Sequence, residues 1–452
     1  MQLIKNIIRV SIANVMNFGS SFIVGFILPA YLSVAEYGMY KEYTLYLSFV
    51  YIFNFGFNDG IYIKYGGKDY GEINKKELHE EHTFITLFQF IVFLCMLAFS
   101  FIIKDLILIL FSIVTLFMSI ITYHQNFAQA TGNFKVYSNA NIFKTIINIS
   151  TILFAIFILN SSDYVIYIIM NIVTNIFIFL LYEVVFLKEY GLNFRISFKN
   201  KVSIFKIGIF VLIANMSMTF VGNIGSWVVN FGFPIEDFSQ YSFSTSMLNL
   251  ILLIVNAVGL IFYNIISKNE NEEMLKFTKR ILLLLGIIGG LLFFVFKVII
   301  EVFLSKYTPA LSLLSITFIS IPYIMVANVI ITNLYKSRKN EKKYFRDVIA
   351  FATSSLILVG SVYLITDNMT SIALATTFAY IFWYLYSTNK EYKYLKSTKR
   401  EYLLLISHFI VFYLTANYVS NIWGAFLYLI YIIIVSIMFR NDFKKIILYA
   451  RK

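Results

Sequence analysis

The chain has 452 residues, of which 59% are hydrophobic, 19% aromatic and 13% charged. Soluble domains carry about 25% charged residues, so this composition excludes a soluble fold. The net charge of +13 would suit a nucleic-acid binder, but the Lys and Arg residues lie in short clusters between apolar stretches, where they set membrane orientation. Nucleic acid is therefore not expected as a partner.

Apolar stretches long enough to span a bilayer recur along the whole chain. They predict an all-α, polytopic membrane protein with about 14 transmembrane helices. In chain order the predicted spans are Ile7–Leu32, Tyr43–Ile61, Thr83–Ile103, Leu106–Tyr123, Ile142–Leu159, Tyr164–Leu187, Ile207–Phe231, Tyr241–Ile266, Ile281–Leu304, Ala310–Leu334, Val348–Ile365, Ser371–Tyr386, Tyr402–Val419 and Trp423–Phe439.

The basic residues predict the orientation, because positive flanks resist translocation. With both termini in the cytoplasm, all but four of the 37 Lys and Arg residues are cytoplasmic. The four exceptions are Lys41, Lys104, Lys297 and Lys306. No small-residue cleavage site follows the basic N-terminus, so we interpret the first apolar stretch as an uncleaved span.

The first two spans are similar in sequence to spans seven and eight, at an offset of about 201 residues. Lys5 matches Lys206, the stretch 12–14 matches 213–215, and Tyr40 matches Tyr241. This duplication predicts two pseudo-symmetric six-helix bundles, at residues 1–200 and 201–390, related by an axis along the membrane normal. Residues 391–452 would form a terminal helix pair and a cytoplasmic tail.

Polar residues recur at helical spacing in these repeated spans. In a membrane helix such residues face protein or water, so they predict a hydrophilic cleft between the two bundles. The alternative is hydrogen bonding between packed helices. The candidate cavity residues are Asn14 and Asn17 in span one, Asn215 and Asn223 in span seven, and Asn249 and Asn256 in span eight.

Charged residues near membrane depth are candidates for function. Lys64 is the best candidate contact for a substrate phosphate and Lys144 is a second one, because a Lys ammonium binds phosphate as a point charge. Asp59, Glu36 and Lys41 are candidates for a gate or for ion coupling. The alternative for Asp59, Lys64 and Lys144 is a solvated side chain at the membrane surface.

The sequence predicts neither an enzyme nor a metal or cofactor site. YGGKDYG lacks the spacing of a phosphate-binding loop, and the one cysteine, Cys95, cannot form a disulfide within the chain. His79 and His82 are assigned to a charged, solvated loop and show no metal-ligand spacing. Directional transport would then use H⁺ or Na⁺, or downstream consumption of the product.

Three segments, LSVAEYGMY, GFNDGIYIKYGG and ATGNFKVYSNANIF, carry a family resemblance. They resemble the oligosaccharide flippases of bacterial polysaccharide biosynthesis, in a superfamily with multidrug and toxin extrusion antiporters and lipid II flippases. The resemblance implies two six-helix bundles in a V shape. It also implies alternating access by an undecaprenyl-pyrophosphate-linked oligosaccharide in the bacterial inner membrane.

The same resemblance implies O-antigen (lipopolysaccharide) or capsule synthesis, with a polysaccharide polymerase and a chain-length regulator as partners. Lipid II flippases carry arginines in their first spans, whereas this chain has none between Arg9 and Arg195. This difference disfavours lipid II as the substrate. The remaining alternatives are a cation-coupled multidrug antiporter of the same fold and a membrane polysaccharide polymerase.

Overall fold

The structure is a computed structural model of the chain. It describes residues 2–68, 72–191, 193–195, 197–198, 201–268, 271–338, 341–440 and 442, without the side chains of 2–14, 254, 256–268, 336 and 341–342. In this described part the chain is helical and contains no strand. The predicted all-α class is confirmed.

The α-helices of the described residues are numbered here in chain order. They are α1 (Gln2–Tyr31), α2 (Val34–Leu47), α3 (Phe57–Tyr65), α4 (Lys75–Ile103), α5 (Leu106–Ala130), α6 (Phe134–Phe157), α7 (Tyr164–Tyr190), α8 (Lys201–Gly232), α9 (Ile235–Lys268), α10 (Glu272–Gly289), α11 (Leu291–Phe303), α12 (Ala310–Ile319), α13 (Ile321–Val326), α14 (Thr332–Ser337), α15 (Glu341–Ile365), α16 (Met369–Tyr386), α17 (Lys399–Asn417) and α18 (Asn421–Met438). Short 3₁₀ turns lie at Val50–Asn54, Ser305–Tyr307 and Lys393–Leu395, and π-helical turns at Ala327–Ile331 and Ser387–Glu391.

The protein is a multi-pass membrane protein. Within the described residues, nine helices are long and apolar enough to cross a membrane, and a bent pair, Ala310–Ile319 with Ile321–Tyr335, makes a tenth. Each of the predicted spans falls on one or more helices. The apolar stretches of spanning length therefore located the helices.

Asn and Asp side chains begin many of the helices. An oxygen of the residue preceding the helix accepts a hydrogen bond from a free backbone N–H of the first turn, which stabilises the helix by roughly 1 kcal/mol. Helices α4, α5, α6, α7, α10 and α16 begin in this way, at Asn74, Asp105, Asn133, Asp163, Asn271 and Asn368. The polar turns between apolar stretches thus fix where these helices start.

Predicted span two is not one helix. Helix α2 ends at Leu47, a 3₁₀ turn follows, and α3 begins only after Gly56. Phe55 and Gly56 have φ angles of 51° and 86°, in the left-handed region that interrupts a right-handed helix. Gly56 adopts this conformation without a Cβ clash, so the glycine in the chain marks the break.

Predicted span ten is bent. The segments Ala310–Ile319 and Ile321–Tyr335 meet at an angle of 47°, and Pro322 lies in the first turn of α13. Proline has no N–H to donate and its ring clashes with the preceding turn, so a continuous helix is disfavoured there. The π-helical turn that follows shifts the register again before α14.

Helix boundaries follow the offset found in the sequence. Helix α1 ends at Tyr31 and α8 at Gly232, while α2 begins at Val34 and α9 at Ile235. Each pair differs by the offset of about 201 residues. The copies diverge after that point, because α9 continues without interruption to Lys268 where α2 has already ended.

The chain divides into two compact units, Met1–Asn223 and Ile224–Lys452, with the division inside α8. In the first unit α4 packs on α5, α1 on α6, α6 on α7, and α3 on α5. Glycines allow α3 and α8 to touch, because a Cβ on Gly208 would lie 1.9 Å from the carbonyl oxygen of Gly56. In the second unit α9 packs on α12, α10 on α13, α12 on α16, and α17 on α18.

Candidate functional site

Helix α6 carries a polar face in the first unit. Asn141, Lys144, Asn148 and Thr151 follow one another at spacings of three and four residues and are all half-buried. Because a helix turns 100° per residue, they share one side. The large exposed apolar side chains of α6 lie on roughly the opposite side, and they are Phe143, Ile146, Phe154 and Phe157. The apolar side suits lipid, so the polar side is left to face protein or water.

Lys144 lies deeper in its helix than the sequence predicted. The predicted span begins at Ile142, whereas α6 begins at Phe134. With a rise of about 1.5 Å per residue, Lys144 is roughly 15 Å from the start of the helix. No described residue forms an ion pair with it. A half-buried cation at this depth is expensive in a membrane and is a candidate for substrate binding.

The predicted cavity residues of α1 and α8 are partly described. Asn17 is exposed, and its Oδ1 accepts a hydrogen bond of 3.1 Å from Thr145 on α6. Asn215 is exposed, and half-buried Asn223 donates to the backbone carbonyl of Thr219 at 2.9 Å. The structure therefore brings Asn17 next to the polar face of α6. It keeps the amide donor of Asn223 within its own helix.

The other predicted cavity residues are less informative. Asn249 on α9 is exposed. The side chains of Asn14 and Asn256 lie outside the described residues. Their roles stay predictions.

Lys64 is already paired. Its ammonium lies 2.6 Å from Glu77 Oε1 and also contacts Glu81, whose side chain is fully buried. Tyr65 donates a second hydrogen bond to Glu81, at 2.9 Å. Burial favours the neutral amine of Lys64, but the bonds to both glutamates outweigh it and raise its pKa above the ordinary value. Lys64 is thus a charged part of an ion-pair network, and Lys144 is the better placed of the two predicted phosphate contacts.

The structure places the candidate gate residues Asp59, Glu36 and Lys41 in separate contacts. Asp59 is half-buried on α3, and the partner of Lys64 is not Asp59 but the two glutamates of α4. Glu36 Oε2 accepts a hydrogen bond of 2.7 Å from the backbone N–H of Tyr164, at the start of α7. The Nζ atom of Lys41 lies 6.0 Å from the centre of the Tyr37 ring. Glu36 and Lys41 therefore contact different groups.

A second polar cluster joins α4, α5 and α7. His82 Nε2 and His124 Nε2 lie 3.0 Å and 2.9 Å from the same oxygen, Oε1 of Glu183. The three ligand atoms are all within 4.8 Å of one another. The predicted solvated loop for His79 and His82 is wrong, because both lie on α4 and His79 is buried against the carbonyl of Tyr190.

Sequence spacing did not reveal this cluster, since its members come from three helices. The prediction that the chain has no metal site rests on its single cysteine and on the spacing of its histidines. One signal was available: Glu183 lies inside the predicted span Tyr164–Leu187, where ionisable residues are uncommon, and His82 and His124 directly flank the spans Thr83–Ile103 and Leu106–Tyr123.

Comparison with known proteins gives the fold. No family model and no curated protein matches the sequence. Among solved structures, the lipid II flippase MurJ in an inward closed conformation matches with a TM-score of 0.70 and 15% identity, over 97% of this chain and 99% of that chain. The chain shares the fold of these transporters.

Two further structures agree. An inward-facing multidrug resistance MATE family transporter of the MOP superfamily has a TM-score of 0.61 and 13% identity, covering 87% of this chain and 99% of its own. A MOP superfamily transporter from Pyrococcus furiosus has a TM-score of 0.55 and 12% identity, covering 87% and 97%. Because these proteins move different compounds, the shared fold does not identify a substrate, which depends on the side chains of the site.

Proposed function

We propose that the protein is a flippase that carries undecaprenyl-pyrophosphate-linked oligosaccharides across the bacterial cytoplasmic membrane. It would do so by alternating access, for O-antigen or capsule synthesis, with both termini in the cytoplasm. The polymerase and chain-length regulator would act on its product, and H⁺ or Na⁺ would drive its cycle. The fold shared with a lipid II flippase supports transport of a lipid-linked substrate.

The proposal rests mainly on Lys144, a half-buried cation on the polar face of α6. Its ammonium is the cation on the polar face of α6, and it supplies a point charge for a pyrophosphate oxygen. Asn141 and Asn148 lie on the same side of the helix. Amide side chains both donate and accept hydrogen bonds, which suits the hydroxyl groups of a sugar.

A transporter of organic cations needs a carboxylate that is free to bind the substrate. Two carboxylates of the first unit are already engaged, Glu81 with Lys64 and Glu183 with two histidines. Asp59 is half-buried, and in our proposal it serves as the gate or coupling carboxylate. The charge on the polar face of α6 therefore favours an anionic substrate.

The test measures export of the surface polysaccharide in a strain that lacks the gene and expresses the wild type or a variant in its place. Lys144→Gln should reduce export strongly, while Lys144→Arg retains part of it because the charge remains. Lys135→Gln is the matched control, since Lys135 lies exposed in the first turn of the same helix. Membrane levels of each variant are measured by immunoblotting.

Full export by Lys144→Gln at normal membrane levels would remove Lys144 from the substrate path. Unchanged polysaccharide in the deletion strain, together with lost resistance to cationic dyes, would instead support the drug antiporter.

A further inference from the structure

We propose that His82, His124 and Glu183 form a binding site for a zinc-class divalent metal ion. The site lies within the first unit, where α4, α5 and α7 each contribute one side chain. It is separate from the polar face of α6 and does not depend on the proposed substrate.

The donor atoms are arranged as metal ligands. The Nε2 atoms of both histidines converge on Glu183 Oε1, at 3.0 Å and 2.9 Å. Zinc binds histidine nitrogen and carboxylate oxygen at about 2.0–2.2 Å, which sets tetrahedral ligand atoms roughly 3.4 Å apart. The two distances to Glu183 Oε1 need to lengthen by only a few tenths of an ångström to reach that value. Two histidines and one glutamate are also a known zinc ligand set, with water in the fourth position.

The donor types select the metal. Neutral imidazoles suit Zn²⁺, Co²⁺ and Ni²⁺, whereas Mg²⁺ and Ca²⁺ prefer sites made of oxygen ligands. A single carboxylate leaves a bound divalent ion with a net charge of about +1. A water in the fourth position can release a proton in such an ion's field and so offset that charge.

The surroundings hold the ligands in place. His82 stacks on Phe186 with ring centres 4.5 Å apart, and His124 stacks on Tyr182 at 5.6 Å. The side chain of His124 is 4% exposed, while His82 and Glu183 are 16% and 18% exposed. The rings are thus fixed by packing, while His82 and Glu183 keep part of their side-chain surface exposed.

Metal binding would join three helices at one point. His82 is in the second turn of α4, and Glu183 is in the last third of α7. An ion bound by all three side chains restricts the separation of these helix ends. We therefore expect the metal to stabilise the first unit, in addition to being bound.

Binding is tested with the purified full-length protein in detergent, after removal of any polyhistidine tag and treatment with EDTA. The protein is equilibrated with Zn²⁺ and its bound metal is measured by mass spectrometry. The wild type should retain one more Zn²⁺ per chain than the His82→Gln and His124→Gln variants. His79→Gln is the matched control, because His79 lies one turn away on α4 and contacts a backbone carbonyl.

One spectroscopic and one thermal measurement distinguish a specific metal site from nonspecific binding. Co²⁺ should give the visible absorption of a four-coordinate site in the wild type and in His79→Gln, but not in His124→Gln. Zn²⁺ should raise the melting temperature of the same two proteins only. Equal Zn²⁺ retention by the wild type and the two ligand variants, or no retention by any of them, would overturn the proposal.

Discussion

Replacing Lys279 by Met removes the cation from a buried ion pair in the second unit. Lys279 Nζ lies 3.0 Å from Glu401 Oε2, and both side chains are only 2% exposed. Lys279 also donates to the carbonyl oxygen of Leu395 at 2.8 Å. The substitution therefore leaves a carboxylate and a carbonyl in a buried place without their donor.

The expected loss of stability is large. Removing one partner of a buried pair costs about 3–5 kcal/mol, because the other charge stays buried and uncompensated. Arg280 Nε remains 3.9 Å from Glu401 Oε1 and offsets part of that cost. We expect a loss of about 3 kcal/mol, which is roughly a 150-fold change in the unfolding equilibrium.

The assay is reversible unfolding in mixed micelles with increasing SDS, followed by circular dichroism. Lys276→Met is the control on the same helix, since Lys276 is 35% exposed and pairs with exposed Glu273. Exposed pairs contribute less than about 1 kcal/mol.

A double variant completes the cycle. Lys279→Met with Glu401→Met should be more stable than Lys279→Met alone, because no buried charge is left. It stays below the wild type by roughly 1 kcal/mol, since Glu401 also completes the capping box at the start of α17. The reasoning is refuted if Lys279→Met loses no more stability than Lys276→Met. It is also refuted if the losses of the single variants Lys279→Met and Glu401→Met simply add in the double variant.

Three further predictions concern helix packing and hydrogen bonds between helices. Gly208→Leu should prevent recovery of monodisperse protein in size-exclusion chromatography, because its side chain would collide with α3, whereas a Cβ on Gly360 meets no atom within 4 Å and Gly360→Leu should be recovered normally. Asn17→Ala should lower unfolding stability by less than about 1 kcal/mol, since hydrogen bonds between membrane helices average about 0.6 kcal/mol and Thr145 keeps a backbone acceptor. Tyr428→Phe should lower it by about 1–3 kcal/mol, because its buried hydroxyl donates at 2.6 Å to a carbonyl of α10, and unchanged unfolding curves would contradict that role.

The helices were predictable because the bilayer imposes a length and an apolar character that the sequence shows directly. The helix starts were marked by Asn and Asp, as at Asn133 and Asp163. The break at Gly56 and the bend at Pro322 carried local signals, but the length of the apolar stretches obscured them. Length predicts where a span lies and says little about whether its helix is continuous.

The candidate site was less predictable, because it depends on which helices meet. The pairing of Lys64 with Glu77 and Glu81 connects α3 to α4, and no spacing along the chain specifies it. The depth of Lys144 depends on where α6 begins, eight residues before the apolar stretch that was predicted. The sequence favoured Lys64 over Lys144 as the phosphate contact, and the partners that the fold supplies to Lys64 could not be foreseen from it.

The central claim is tested most directly by reconstitution of the purified protein into liposomes that contain undecaprenyl-pyrophosphate-linked oligosaccharide. A glycosidase that cannot cross the membrane reports how much glycan is exposed on the outer leaflet. We predict that the wild-type protein makes glycan of the inner leaflet accessible and that Lys144→Gln does so much more slowly. Glycan that stays protected with the wild-type protein, under an imposed H⁺ or Na⁺ gradient as well as without one, would contradict the flippase account.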